Sequence, residues 1–394
     1  MNKPEASPRL TVLLGVLIAL PALGTDLFVP ALPVLAQALG VEVGAAQFTL
    51  TTYFIGLAAG MLLWGPLSDR YGRKPVLCAG LVTMLAASLS AACVDSAGAV
   101  AGARFVQGLA MSSGAVIART VVRDLHAHEQ AARLLSAMMM VFSIVPIAAP
   151  LAGAALAGEV GWRAIFWAFA AMAALLAAAT LAVLHETAPV KRSSMHPAAI
   201  ARSFGRMLAE RRFVAPLLLV LCAHMGILAW VSSSAFVLVR GFEVSTGGYG
   251  LAFAAVMLGQ IAGAWTSRRL VLRLGIAWLL RLGAALMLAG GAAAAALAWS
   301  GVAHWAAVVA PFLLFLFGTA LIVPNATAAA LSPFPGSAGA AASLMGAIGF
   351  TLGALISSAL GALFDGTARP MASVAAFAGA AAFLLHRILL HGRA

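Results

Sequence analysis

The sequence has very few charged residues for its length. Of 394 residues, 9% are charged and 63% belong to the hydrophobic set. Soluble domains carry about 25% charged residues, and a compact domain of this size cannot bury so much apolar surface. Disordered chains are poor in apolar residues and rich in charge, so disorder is excluded as well. The composition therefore predicts a polytopic membrane protein.

Cysteine is also scarce, and the motifs of soluble catalysis are missing. The three cysteines lie in apolar segments, which excludes a disulfide framework. The segment 126–129 reads His-Ala-His-Glu, but it lacks the spacing of a helical zinc site, so we expect no metal. No phosphate-cradling loop, nucleophile elbow or ATPase motif is present. We expect neither an enzyme nor a cofactor. We expect an ion gradient to be the energy source.

Apolar segments separated by charges, prolines and glycines predict twelve transmembrane helices, because each crossing needs about 20 residues. The longest polar interruption, residues 185–212, divides the chain into a half of six spans at 1–184 and another at 213–394. The predicted fold is therefore all-α, with two six-helix halves. The predicted spans are 10–36, 44–66, 75–94, 98–119, 133–157, 162–184, 213–239, 248–267, 275–298, 303–325, 339–361 and 371–390.

The net charge of +12 indicates topology rather than nucleic-acid binding. Most basic residues fall in segments on the same side of the membrane as the N-terminus; Arg163, Arg240 and Arg369 fall on the other side, and Arg104 and Arg281 fall within spans. The positive-inside rule then places both termini and the central loop in the cytoplasm. Apolar residues at helical spacing in that loop fit a short amphipathic helix on the inner leaflet, although a plain connector is the alternative.

Residues 65–74 (Gly-Pro-Leu-Ser-Asp-Arg-Tyr-Gly-Arg-Lys) resemble the signature loop between spans two and three of the major facilitator superfamily. Glycines allow a tight turn there, and Asp69 is a candidate cap for the next helix. In that family the loop holds the two halves together in the outward-open state. The resemblance therefore implies a gating role for Gly65, Asp69, Arg70, Gly72 and Arg73.

Further segments resemble the drug:proton antiporters of the Bcr/CflA type, which include bicyclomycin, sulfonamide and phenicol exporters. Residues 25–33 (Thr-Asp-Leu-Phe-Val-Pro-Ala-Leu-Pro) resemble the first-span signature of that group, which usually has tyrosine where Phe28 stands. Residues 104–108 with 123–124, and 185–187, resemble its fourth-span motif and its exit from span six. Residues 146–153 resemble the antiporter motif of span five, which implies gating roles for Pro146, Pro150 and Gly153.

Asp26 is the one acidic residue well inside an apolar span. A charge at membrane depth costs about 2.5–3.5 kcal/mol, so it normally faces a partner or a wet cavity. Counting residues at about 1.5 Å each places Asp26 and Arg104 at similar depth, and we expect them to lie close together. One hypothesis is a proton-coupling site whose proton affinity is set by burial and by the guanidinium. The alternative is a buried ion pair that only fixes helix packing.

Several polar and aromatic residues inside spans are candidates for the wall of a central cavity. Histidine can titrate, methionine offers a soft surface for varied ligands, and aromatic rings stack on drugs. For each of them a packing role is the alternative. The predicted substrate-binding residues are Phe28, Tyr53, Gln107, Met140, His224, Trp230 and Gln260.

The resemblance implies a secondary active exporter of small, neutral or weakly charged drugs such as phenicols, exchanged for protons by alternating access. Export of a metabolite (a nucleoside, sugar or cysteine compound) on the same fold is the alternative. A passive facilitator is a third, which the intramembrane acid Asp26 argues against. We expect a monomer in the bacterial inner membrane, with drug, protons and membrane lipids as its partners and no nucleic acid.

The topology is directly testable with reporter fusions. Fusions within residues 1–9, 185–212 and 391–394 should all report the cytoplasm, because the basic residues accumulate on that side. Alkaline phosphatase and green fluorescent protein fusions give opposite signals on the two sides and check each other. A periplasmic central loop would contradict the whole arrangement.

Overall fold

The computed structural model describes residues 8–125, 128–187, 197–334 and 337–390. Positions 126–127 of the dismissed metal motif, part of the central loop and the extreme termini, 1–7 and 391–394, lie outside the described residues. Within the described ranges the chain is helical and contains no strand. The helices are α1 (Pro8–Asp26), α2 (Leu32–Ala38), α3 (Val43–Tyr71), α4 (Arg73–Cys93), α5 (Ala97–Leu125), α6 (His128–Glu159), α7 (Arg163–Val183), α8 (Pro197–Ala209), α9 (Arg211–Phe236), α10 (Thr246–Trp299), α11 (Ala306–Leu331), α12 (Ala338–Ala362) and α13 (Arg369–Leu385).

Among the described residues, eleven helical stretches are long and apolar enough to cross a membrane. One of them, α10, has 54 residues. A straight helix of that length measures about 81 Å, more than twice the ~30 Å hydrocarbon core. The chain leaves helical geometry within α10 at Gly275, whose φ of 76° and ψ of 164° suit glycine. Predicted spans eight and nine therefore meet at this residue without a loop.

The packing of α10 on α11 shows that the chain reverses at Gly275. The segment of α10 before Gly275 runs parallel to α11, because the residue numbers of contacting pairs rise together. The segment after Gly275 runs antiparallel to α11, because the α11 numbers fall as the α10 numbers rise. The close approaches pair Gly259 with Leu313, Gly263 with Phe317, Gly283 with Gly318 and Gly290 with Phe315. The two segments are antiparallel crossings, so the prediction of twelve transmembrane helices is confirmed.

The first crossing is not continuous, as the span 10–36 had been predicted to be. Helix α1 ends at Asp26, a 3-10 turn follows at Val29–Ala31, and α2 completes the crossing. Pro30 has no N–H to donate to the Asp26 carbonyl four residues earlier, and this breaks the helix. The turn itself is fully buried, so no open backbone meets lipid.

The central segment forms the predicted amphipathic helix, α8. Met207 is buried, and Phe204 packs partly against the core, on the face that meets α9 and α12. Arg202 and Arg206 are exposed on the other face. The helix therefore packs on the second half (α9–α13) rather than on the first half (α1–α7).

Helices α3 and α5 touch at backbone level through glycine. A Cβ at Gly56 would lie 2.1 Å from the Phe105 carbonyl oxygen, and one at Gly108 would lie 2.2 Å from the Tyr53 carbonyl oxygen. Without a hydrophobic driving force between helices in lipid, such close packing supplies much of the association energy. It also fixes the backbone of Tyr53 against Gly108, near the middle of α5.

Gly56→Ala should destabilise the protein, by about 1–3 kcal/mol, because its methyl group meets fixed backbone rather than a movable side chain. Gly102→Ala is the matched control, since Gly102 lies in α5 with nothing within 4 Å of the added carbon. Thermal unfolding in detergent, followed by intrinsic fluorescence, should show a lower midpoint for Gly56→Ala and an equal or higher one for Gly102→Ala. Equal midpoints for the two variants would contradict the backbone contact.

Candidate functional site

Asp26 lies at the break between α1 and the 3-10 turn, and it is 8% exposed. Its carboxylate makes none of the ion pairs found among the described residues. Two phenol groups lie within electrostatic range of it, Tyr53 from the first half and Tyr249 from the second. The acid is therefore placed between the two halves at a point where the helix ends.

Arg104 is completely buried. One guanidinium nitrogen, Nη2, donates to the Gly24 carbonyl oxygen at 2.9 Å, and the other, Nη1, donates to Oε1 of Gln107. The group lies 4.3 Å from the ring centroid of Phe28 and 3.9 Å from that of Tyr53. We call these five residues the Arg104 cluster. Because Gly24 is two positions before Asp26, the cluster lies at the depth of the acid.

The charge of Arg104 is held without a carboxylate partner among the described residues. Two aromatic faces and a carbonyl oxygen stabilise it, while its Nε has no hydrogen-bond acceptor. The buried ion pair with Asp26, which was the alternative hypothesis, is not formed in this conformation. An incompletely satisfied buried cation is costly, and it leaves the guanidinium ready to interact with an incoming group.

Neighbouring contacts hold the Arg104 cluster in place. The Tyr53 hydroxyl donates to the Pro21 carbonyl oxygen at 2.9 Å, and Gln107 Nε2 donates to Ser88 Oγ at 2.8 Å. A Cβ at Gly24 would lie 2.1 Å from the Tyr53 hydroxyl oxygen. Only glycine therefore lets α1 approach α3 closely enough for the carbonyl contact with Arg104.

The predicted substrate-binding residues fall into separate places. Phe28, Tyr53 and Gln107 belong to the Arg104 cluster, whereas the other four do not. Trp230 is fully buried between Phe253 and Phe312, with ring centroids 5.9 Å and 5.1 Å away, and its indole N–H finds no acceptor in the part of the chain that the structure describes. The remaining three lie elsewhere: His224 hydrogen-bonds Val220 O within α9, Gln260 is half-buried on α10, and Met140 is 68% exposed on α6.

The antiporter-like segment of α6 packs directly on the break that carries Asp26. A Cβ at Gly153 would lie 2.1 Å from the Leu27 carbonyl oxygen. The same segment meets the second half, since a Cβ at Gly250 would lie 3.4 Å from the Pro150 carbonyl oxygen. Pro146, one turn earlier, is half-buried. Helix α6 thus connects the acid of the first half with α10 of the second.

The predicted gating loop is organised around Arg73. Its guanidinium pairs with Asp69 and with Asp124, the latter at 2.9 Å, and donates to Ser68 Oγ at 3.0 Å. The Arg73 side chain is 5% exposed, Asp124 16% and Asp69 46%. We call this end of the molecule the Arg73 end. Of the other predicted gating residues, Gly65 is half-buried within α3 and Arg70 is exposed.

The expectation that Asp69 caps the next helix is wrong. Glu186 takes this role, because its carboxylate accepts hydrogen bonds from the backbone N–H groups of Arg73 at 2.9 Å and Lys74 at 3.2 Å. Gly72 makes room for it with a φ of 99°, and a Cβ there would lie 2.6 Å from Glu186 Oε2. Asp69 is engaged by the Arg73 side chain instead. In the sequence, the acidic residue of the segment 185–187 was the feature that could have identified this cap.

Two contacts between the halves were not among the predicted sites. At the Arg73 end, the Arg123 guanidinium lies against Gly339 of α12, where a Cβ would be 2.4 Å from Nη2. At the opposite end, the side-chain amide of fully buried Gln47 of α3 donates to the Ser232 carbonyl oxygen at 2.6 Å, and the Gln47 backbone carbonyl accepts from the Ser357 hydroxyl at 3.5 Å. We call this the Gln47 end. A glutamine inside an apolar span was the signal available in the sequence.

Comparison with known proteins gives one consistent family. The model of the Major Facilitator Superfamily matches residues 14–358. A bicyclomycin resistance protein homolog of Haemophilus influenzae is 28% identical over 94% of this chain and 93% of its own length. A chloramphenicol resistance protein of Pseudomonas aeruginosa is 31% identical over 87% and 80%. The resemblance predicted from residues 65–74 and from the antiporter-like segments is thereby confirmed.

The fold also matches solved transporters. The xylose transporter XylE of E. coli, in a partially occluded inward-open conformation, superimposes with a TM-score of 0.70 at 15% sequence identity. The match covers 95% of this chain and 96% of that one. At this identity the likeness concerns the fold alone, and it agrees with the predicted twelve-helix architecture.

Asp124→Asn should impair the protein more than Asp69→Asn. Asp124 accepts a charge-assisted hydrogen bond from buried Arg73, worth about 1.5–3 kcal/mol, whereas Asp69 is half-exposed and its pair is worth about 0.2–1 kcal/mol. Thermal unfolding in detergent and drug export in cells should both rank the variants in this order. The reverse order, at equal expression, would contradict Arg73–Asp124 as the main contact of the loop.

Proposed function

This chain belongs to the Major Facilitator Superfamily, and on that premise we propose that it is a secondary active exporter of small drugs in exchange for protons. The names of its relatives, which are bicyclomycin and chloramphenicol resistance proteins, support drugs as the substrate class. The single observation that carries proton coupling is Asp26, an acid buried at a helix break between the halves without an ion-pair partner among the described residues.

The electrostatics of the site favour neutral or weakly charged substrates, of which phenicols are an example. One acid and one arginine lie at this depth, so a strongly cationic drug would meet the positive charge of Arg104 as well as Asp26. Aromatic faces around the guanidinium suit a polar-aromatic molecule. Phe28 contributes such a face and packs on Phe166, with ring centroids 5.4 Å apart.

We assign the Arg73 end to the cytoplasm. The positive-inside rule supports this assignment, because the segment 69–74 and the central segment are both rich in basic residues. Both termini would then be cytoplasmic and the Gln47 end periplasmic, in a bacterial inner membrane. We take the working unit to be a monomer, because the site and the continuous buried core that joins the two halves lie within one chain.

Alternating access would work on Asp26 through the two halves. The acid lies near one phenol from each half, and α6 connects the break after Asp26 to α10. Rocking of the halves would therefore change both its solvent access and its neighbours. Movement of the Arg104 guanidinium toward the carboxylate would release the proton, and withdrawal would favour its uptake. Drug binding and proton binding then oppose each other reciprocally.

The conformation described here is closed at the Gln47 end. Helices α3, α9 and α12 are joined there by Gln47, Ser232 and Ser357. Helix α3 also packs closely on α12, since a Cβ at Gly44 would lie 3.3 Å from the Gly361 carbonyl oxygen. With the proposed orientation, a drug would enter this conformation from the cytoplasmic side. Export would require these contacts to separate.

Asp26→Asn should abolish uphill drug export, because a permanently neutral side chain cannot exchange a proton. In proteoliposomes, addition of chloramphenicol to the wild type should release protons, and the Asp26→Asn protein should release none. Asp95→Asn is the matched control, since Asp95 is an acid with an 88% exposed side chain at the Gln47 end. Arg104→Ala should also impair export, because it removes the guanidinium that is proposed to move toward the Asp26 carboxylate and release its proton.

A drug-susceptibility panel in an efflux-deficient bacterium completes the test. The wild type and Asp95→Asn should confer the same resistance profile, and Asp26→Asn should confer none. If Asp26→Asn still pumps drug against a gradient driven by a pH difference, Asp26 is structural and the proposed coupling is wrong.

A further inference from the structure

An apolar groove opens on the lipid-facing surface of the second half, between α9, α12 and α13. It has a volume of about 460 Å³ and is lined mainly by aliphatic and aromatic side chains, among them Leu355 and Ala359 of α12, Leu363 directly after that helix, and Phe377 of α13. Leu355, Leu363 and Phe377 are each 64–65% exposed. The groove therefore lies at the Gln47 end and is separate from the Arg104 cluster.

The lining is polar at one point, Ser373 of α13. Its hydroxyl accepts a hydrogen bond from the Trp299 indole N–H at 3.2 Å, and the Arg369 guanidinium lies 5.1 Å from the centroid of the same indole ring. Pro370, the neighbour of Arg369, lines the groove itself. A basic group and an indole thus stand together at the membrane-surface end of an apolar groove.

Arg369 makes none of the ion pairs found among the described residues, although the exposed Asp365 carboxylate lies within electrostatic range of it. Its Nε is shielded from solvent and has no hydrogen-bond acceptor among the described residues. Burial of a charged donor without an acceptor is costly, so an anionic oxygen beside it would be stabilising. Arginine and tryptophan are also the side chains that anchor membrane proteins at the level of lipid headgroups.

We propose that this groove binds one phospholipid, with an acyl chain along α12 and α13 and the phosphate at Arg369. In the membrane an apolar groove of this kind is filled by hydrocarbon, and the charge at its end selects a lipid with an anionic headgroup. With the proposed orientation, the site faces the outer leaflet of the membrane. The existence of the site does not depend on that orientation.

Native mass spectrometry of the whole protein in detergent, with added phosphatidylglycerol, tests the site. The wild type should retain one phosphatidylglycerol. Arg369→Gln should weaken that binding about fivefold, as expected for one basic group at a lipid surface, and Ala359→Trp should block it by filling the groove. The matched controls are Arg163→Gln, an exposed arginine at the same end, and Leu175→Trp, a 71% exposed apolar position on α7.

Three outcomes would overturn the proposal. In the first, both groove variants retain phosphatidylglycerol as well as the two controls do. In the second, chloramphenicol displaces the lipid from the wild type and binds Arg369→Gln and Ala359→Trp more weakly, which makes the groove a drug site. In the third, the wild type forms dimers that Ala359→Trp abolishes. Since Arg369→Gln changes no apolar packing, it remains informative if Ala359→Trp does not fold.

None of these outcomes depends on transport. Loss of proton release in Asp26→Asn concerns the first half, and lipid retention concerns the surface of the second. The exporter proposal and the lipid proposal can therefore fail separately.

Discussion

Backbone hydrogen bonding in hydrocarbon is the constraint on which this structure depends. A free N–H or C=O in lipid costs several kcal/mol, so the spanning chain is helical, and a helix can stop inside the membrane only where protein covers it. The stop after Asp26 obeys this rule. Its turn is buried, and α6 covers the Leu27 carbonyl at Gly153. The one irregular stretch of the first crossing is thus also the place where an acid can lie inside the membrane between two halves.

Close helix contacts through glycine make that place possible. Gly24 brings α1 to Tyr53, and Gly108 brings α5 to the backbone of the same residue. The guanidinium of Arg104 is consequently held between two rings and a carbonyl oxygen rather than by a carboxylate. This arrangement leaves Asp26 without an ion-pair partner among the described residues, as the proposed proton exchange at Asp26 requires.

The two ends of the molecule are held by different chemistry. At the Gln47 end, neutral amide and hydroxyl groups join the halves directly, and such bonds can break without leaving an unpaired charge. At the Arg73 end the charged network joins Arg73 and Asp124 of the first half with Glu186 just after it, and Arg123 reaches across to Gly339 of α12. Among the described residues no ion pair joins the two halves at either end, as the proposed alternating access requires.

The number of crossings, the division into halves and the depth of Asp26 and Arg104 follow from hydropathy and from the rise of a helix, because the bilayer imposes one length on every span. The reversal at Gly275, the cap by Glu186 and the place of Met140 on an exposed face do not follow from any local pattern. They depend on which helix faces which, and in lipid that choice is made by backbone-level packing of small residues far apart in the chain. The equal depth of Asp26 and Arg104 could be predicted from the sequence. The aromatic faces that hold Arg104 away from an ion pair could not be predicted, because they surround it only when α1, α3 and α5 are assembled.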